Sequence, residues 1–212
     1  MSVSNAERSP DIRADRPACW RRRQCLQAAA AVAGAAAWPL HAATEPPPSV
    51  LAALRAGSVV AVFRHALAPG SFDPPGFRLG ECSTQRNLSD EGREQARRLG
   101  AWFASHRLVP AAVKASPWCR CMETARLAFG QVQAWDPLSS PRMGSETANA
   151  EHLRQLRRSL SEVREGRFEV WVTHQFTLNG LVGEHASSGE GLLLRGVGAD
   201  QAPTLLARLA LV

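Results

Sequence analysis

The chain has 212 residues, 45% hydrophobic and 21% charged, proportions that suit one globular domain beside any targeting segment. Its formal charge of +6 is misleading, because six Arg set against Glu7, Asp11 and Asp15 lie in the first 43 residues. What remains is mildly basic and has no block of Lys and Arg, which excludes a nucleic-acid surface.

Residues 1–43 read as an export signal of the twin-arginine type that is removed. Arg22-Arg23-Gln24-Cys25-Leu26 precedes a mild Ala-rich run from Ala28 to Ala37, and small residues near Ala42 and Ala43 suit cleavage. The run is too short to span about 30 Å of hydrocarbon, so no stable membrane span is expected once the signal is gone. The expected location is periplasmic or secreted. Residues 44–49 read as a Pro-rich lead-in, and residues 50–212 as the domain.

Ser58 to Phe63 reads as a buried strand that ends in Arg64 and His65 and runs into a loop opening Ala66-Leu67-Ala68-Pro69-Gly70. Ser89 to His106 reads as a helix with Ser89 as N-cap and Ala96, Leu99 and Phe103 on one face. Ala111 to Ala115 reads as a second strand. Ser116-Pro117 is expected to open the next helix, with a capping hydroxyl followed by Pro at the first helical position. Trp118, Met122, Ala125 and Phe129 would then share an apolar face opposite Arg120, Glu123 and Thr124.

Gln131 to Trp135 is a further strand candidate, and Ser145 to Val163 reads as a long helix with Leu153, Leu156, Leu160 and Val163 inward. Phe168 to Thr173 is a strand followed at once by His174 and a short helix to about Gly183. Gly191 to Leu194 and Thr204 to Val212 complete the pattern as a pair of strands. This alternation implies a three-layer α/β/α sandwich with a largely parallel central sheet and an antiparallel edge.

Ligands of such sheets sit beyond the carboxyl ends of the strands. Three strand ends here deliver Arg64 and His65, then Arg120, then His174. Two guanidiniums and two imidazoles in one crevice call for a multiply charged oxyanion, and phosphate fits the guanidinium fork. Arg64 and His65 can both reach one ligand only if the chain leaves the pleat after the strand.

In that order, "FRHA", "SPWCRCMETA" and "VTHQ" resemble the histidine phosphatase superfamily, whose phosphoglycerate-mutase-like branch has the fold just described. "QRNLSDEGREQA" is similar to the start of that family's first helix. The resemblance implies a metal-independent phosphatase that needs no cofactor and acts on phosphate esters or anhydrides. It makes His65 the nucleophile of a phosphohistidine intermediate, with Arg64 and Arg120 as phosphate clamps and His174 completing the pocket. Glu123 is expected to orient Arg120 from the next turn.

Two departures stand out. Ala66 takes the place where the family often has Gly. The region "WDPLSSPRMGSETA" has no clear equivalent of the proton-donating Glu of mutase-like members, which leaves Asp73, Glu81, Asp136 and Glu146 as candidates. Without a strong acid, leaving groups that need little protonation are favoured, such as pyrophosphates, acyl phosphates and phosphoramidates. Small bacterial phosphohistidine phosphatases of the superfamily are similar in lacking that Glu.

Arg86 could gate the pocket or cap a helix. Cys82 is expected to pair with Cys119 or Cys121 in an oxidising compartment, the Cys82–Cys119 staple being the pairing favoured, and no zinc site is expected. His106, His152 and His185 read as helix-end or surface residues. The expected partner is a small phosphorylated substrate, with an envelope sugar phosphate as one class that export would allow. A phosphomutase and a non-catalytic phosphate sensor of the same fold are the alternatives to a phosphatase.

Overall fold

The computed structural model describes residues 47–142 and 144–211. The export-signal reading of residues 1–43 lies outside the described residues. A helix, α1 (Pro48–Ala56), begins inside what reads as lead-in, because Pro48 falls at the first turn, where a missing N–H is harmless. Val50 and Leu54 are its buried residues.

The chain continues through β1 (Val59–Arg64), α2 (Asp90–Ser105), β2 (Ala112–Ala115), α3 (Cys119–Phe129), β3 (Gln133–Ala134), α4 (Glu146–Ser161), β4 (Phe168–Thr173), α5 (Gln175–Val182), β5 (Gly191–Arg195) and β6 (Thr204–Leu209). The sheet order is β3-β2-β4-β1-β5-β6. β1, β4, β2 and β3 run parallel, and β5 joins β1 antiparallel, with β6 antiparallel outside it. The expected parallel sheet with an antiparallel edge is therefore present.

β1 and β4 lie side by side, Arg64 opposite Thr173, and both are buried along nearly their whole length. That is why each reads as a continuous apolar run rather than an alternation. Ala61, Phe63 and Val170 pack with Leu99 and Phe103 of α2 on one face of the sheet. Val60, Val62 and Trp171 pack with Leu156 and Leu160 of α4 and Leu178 and Leu181 of α5 on the other. The two faces give the three layers.

Ser89 caps α2 by accepting from the Gly92 amide at 3.1 Å. The expected start of α3 needs correction. Ser116 and Pro117 lie ahead of that helix, Trp118 occupies the N-cap without a side-chain bond, and the Ser116 oxygen accepts from the Trp118 amide at 3.4 Å while its shorter contact is to His174. Arg120 and Thr124, expected on the polar face of α3, are buried, because that face turns towards the strand ends rather than towards solvent. In α4 only Leu156 and Leu160 of the four expected inward residues are fully buried, Leu153 and Val163 packing at the margin.

α2 and α3 approach closely at Gly100, where a Cβ would stand 2.1 Å from the Ala128 carbonyl oxygen. In an unobstructed helix Gly→Ala stabilises by up to about 1 kcal/mol. Here Gly100→Ala is expected to destabilise by roughly 1–3 kcal/mol through overpacking. Urea unfolding followed by Trp fluorescence reads the sign.

Candidate active site

β1, β2 and β4 end at one cleft of about 480 Å³. Arg64 and His65 line it from the end of β1, Arg120 from the first turn of α3, and His174 from the residue after β4. Adjacent residues reach one cleft because β1 stops at Arg64. The His65 amide still bonds to the Thr173 carbonyl at 3.0 Å, but the chain then leaves the sheet. Ala66 is held there by its amide, which donates to Thr124 Oγ1 at 3.0 Å. Among the described non-glycine residues only Ser58 and Arg107 have positive φ, so the turn at Ala66 does not require Gly.

His65 Nδ1 lies 2.8 Å from the Ala66 carbonyl oxygen. A carbonyl only accepts, so Nδ1 carries the proton and Nε2 the lone pair. Burial lowers the His65 pKa to about 3, and the charges of Arg120, Arg86 and Arg64 push the same way, keeping the ring neutral at physiological pH.

His174 has the opposite tautomer. Its Nδ1 faces Arg120 Nη2 at 3.4 Å, and a guanidinium can only donate, so Nε2–H is the group that meets Ser116 Oγ at 2.8 Å. Burial, followed by the Arg120 charge, holds its pKa well below the usual value. The two imidazole centroids are 5.7 Å apart. Cys121 Sγ sits 3.5 Å from His174 Nε2, but burial pushes its thiol up to about 12 and leaves it inert.

Arg64, Arg86 and Arg120 each keep a buried Nε without a hydrogen-bond partner among the described residues. Other donors of these side chains are tied: Arg64 Nη1 to the Ala186 carbonyl at 3.0 Å and Arg86 Nη1 to the Ala68 carbonyl at 2.5 Å. Three fixed cations lining one cleft supply the charge that a tetrahedral dianion requires.

Among the described residues Asp73 is the one carboxylate lining the cleft. Its Oδ1 accepts from Arg120 Nη1 at 2.8 Å and from the Arg86 amide at 3.0 Å, and its Oδ2 accepts from Trp118 Nε1 at 3.2 Å. Both oxygens are filled by donors that cannot reverse roles, the geometry of a fixed counter-charge rather than a proton donor. Asp73, not Glu123, orients Arg120. Glu123 turns away to Arg93 Nε at 2.6 Å, because Arg120 points to the strand ends and leaves only the α2 side within its reach.

The other carboxylate candidates stand elsewhere. Glu81 is bound to Arg78 in solvent, Asp136 takes the Ser139 hydroxyl outside the cleft, and Glu146 is exposed in the first turn of α4. Arg86 lines the cleft itself. Cys82 and Cys119 form a disulfide that ties the loop carrying Asp73 and Arg86 to the residue before Arg120. Among the described residues no cluster of three or more His, Cys, Asp or Glu is placed to hold a metal ion.

Sequence reasoning missed Ser116, Thr124 and Arg142. Ser116 stood in a helix-start motif that explained it already, and Arg142 lay in a segment read only for carboxylates. The geometry of Thr124, which accepts from Ala66 and donates to the Arg120 carbonyl at 2.7 Å, depends on the approach of α3 to β1 and leaves no sequence signal.

Residues 80–155 match the family model for the histidine phosphatase superfamily (branch 1). The match spans 76 of the 212 residues, and over that segment the chain is similar to the superfamily. Solved structures similar to this chain include a phosphoserine phosphatase from Entamoeba histolytica in complex with 3-phosphoglyceric acid, at 13% identity and a TM-score of 0.51, covering 73% of this chain and 99% of that one. The protein TTHB049 from Thermus thermophilus is 21% identical with a TM-score of 0.50, covering 72% of this chain and 99% of that one. The putative phosphohistidine phosphatase SixA from Agrobacterium tumefaciens is 23% identical with a TM-score of 0.48, covering 71% and 97%. The likeness to the first two shows the shared fold. The comparison with curated proteins finds no match.

Proposed function

We propose that this protein is a phosphatase of the histidine phosphatase kind that hydrolyses small phosphorylated substrates through a phosphohistidine at Nε2 of His65. The observation that carries this reading is the neutral His65 ring, with its Nδ1 proton tied to Ala66, set among three guanidiniums that line the same cleft. The lone pair of Nε2 attacks phosphorus, the bond to the leaving oxygen breaks, and that oxygen takes a proton from solvent. Water then attacks the phosphoryl group, the N–P bond returns its pair to Nε2, and phosphate departs.

Arg64, Arg86 and Arg120 hold the equatorial oxygens, where charge stabilisation contributes most to such transfers. Asp73 holds Nη1 of Arg120 in place. His174 fixes the far side of that guanidinium. With no free acid among the described residues of the cleft, leaving groups of low basicity are the preferred substrates.

The test is to mix the protein with 32P-labelled acetyl phosphate, quench, and look for protein-bound label that is labile in acid and stable in base. Label is expected on the parent protein and absent from His65→Asn. Equal labelling of His65→Asn, or turnover retained by it, would refute the assignment.

A further inference from the structure

Two of the chain's seven phenylalanines are exposed among the described residues, Phe72 at 80% and Phe176 at 62%. Both line the arginine-floored cleft. They reach it from separate segments, Phe72 from the loop after β1 and Phe176 from the first turn of α5, each close behind one of the two pocket histidines. Leaving a phenylalanine in water forgoes about 1.5–3 kcal/mol of burial, so exposed apolar groups gathered on one concave site point to something that covers them.

The inner wall continues in the same chemistry. Phe77 and Trp118 pack with ring centroids 6.0 Å apart, and the Arg142 guanidinium lies over the Trp118 ring at 5.9 Å. All three line the cleft. Its volume suits a small molecule, with aromatic walls above a cationic floor.

We infer that the mouth of the cleft is a leaving-group subsite for an aromatic ring, so that the substrates are phosphate esters of aromatic alcohols. The inference rests on the phosphatase reading for its floor but adds the part of the substrate that is not phosphate. It also agrees with the acid-base inventory of the site. Asp73 is held in place by Arg120, Trp118 and the Arg86 amide, and an aryl oxide departs without the proton an alkyl oxide needs. Face and edge contacts to Phe72, Phe176 and Trp118 would orient the ring, and the Arg142 guanidinium can stack on it.

Binding is read apart from turnover by calorimetry with three non-hydrolysable phosphonates that share a head group. Benzylphosphonate is expected to bind about tenfold tighter than butylphosphonate and several-fold tighter than cyclohexylmethylphosphonate. In the double variant Phe72→Ala/Phe176→Ala that preference for benzyl over butyl should collapse towards unity. Equal affinity for benzyl and cyclohexylmethyl phosphonates, tighter binding of the butyl compound, or a preference that survives the double variant would each overturn the subsite. If benzylphosphonate is preferred and no phosphate ester is hydrolysed, the subsite stands and the phosphatase reading falls.

Discussion

Replacing Arg120 with Ala is expected to lower kcat/KM by a factor of about a thousand or more, the scale on which removal of a fixed transition-state donor acts. Arg120 is almost fully buried and lies between Asp73 and His174, so its loss also leaves Asp73 without its cation. Arg120→Lys should recover little, because one ammonium cannot reproduce the planar fork that bonds Asp73 and His174 together and holds its charge on the cleft. Steady-state kinetics on p-nitrophenyl phosphate reads both variants, and activity in Arg120→Lys close to the parent would contradict the role of the guanidinium fork.

Asp73→Asn separates the two functions that Asp73 could serve. Asn keeps an oxygen that accepts from Arg120 and the Arg86 amide but removes a negative charge from beside the anion. If Asp73 acts as counter-charge, inorganic phosphate should inhibit the variant more strongly, its Ki falling roughly three- to tenfold. A carboxylate that merely held the loop in place would give the opposite sign, since a loosened Arg120 binds phosphate less well.

Acidification is expected to destabilise the protein through the same pocket. His65 and His174 are buried and neutral, with pKa values below the ordinary 6.5, that of His65 at about 3. An unfolded chain takes up those protons as pH falls below about 6.5, whereas folded His65 does not until near pH 3. The stability contributed by the neutral His65 ring is therefore complete above pH 6.5 and is lost progressively between 6.5 and about 3, and His174 acts in the same direction. At pH 4 His65 alone should remove about 3 kcal/mol relative to pH 7. Urea titrations of the parent and of His65→Asn from pH 7 to pH 4 should show the shallower loss in the variant. Parallel losses would mean that His65 titrates normally in the folded state.

The disulfide connects these effects to the loop. Cys82 lies on the exposed side of the segment that carries Phe72, Asp73 and Arg86, and Cys119 is one residue from Arg120. Loop and helix are therefore joined covalently, by the Asp73–Arg120 ion pair, and by the Cys119 amide, which donates to Gln85 Oε1 at 3.0 Å. This irregular segment contributes Phe72, Asp73, Phe77 and Arg86 to the lining of the cleft.

By itself the sequence determined the order and kind of the main elements, because buried parallel strands must be continuously apolar and amphipathic helices must repeat at 3.6 residues. It also named Arg64, His65, Arg120 and His174 as groups at three strand ends, since strand-end polarity is a local property. The tertiary structure alone decided which group faces which. Asp73 lies 47 positions from its partner Arg120, and Ser116 lies 58 from His174. Such pairs are set by the approach of loop and helix after folding, and nothing in the spacing of residues along the chain encodes them. For the same reason Glu123, placed by helical spacing beside Arg120, turned to Arg93 on the neighbouring helix. Local rules fix the face from which a side chain leaves its own element, and packing against other elements decides what it meets.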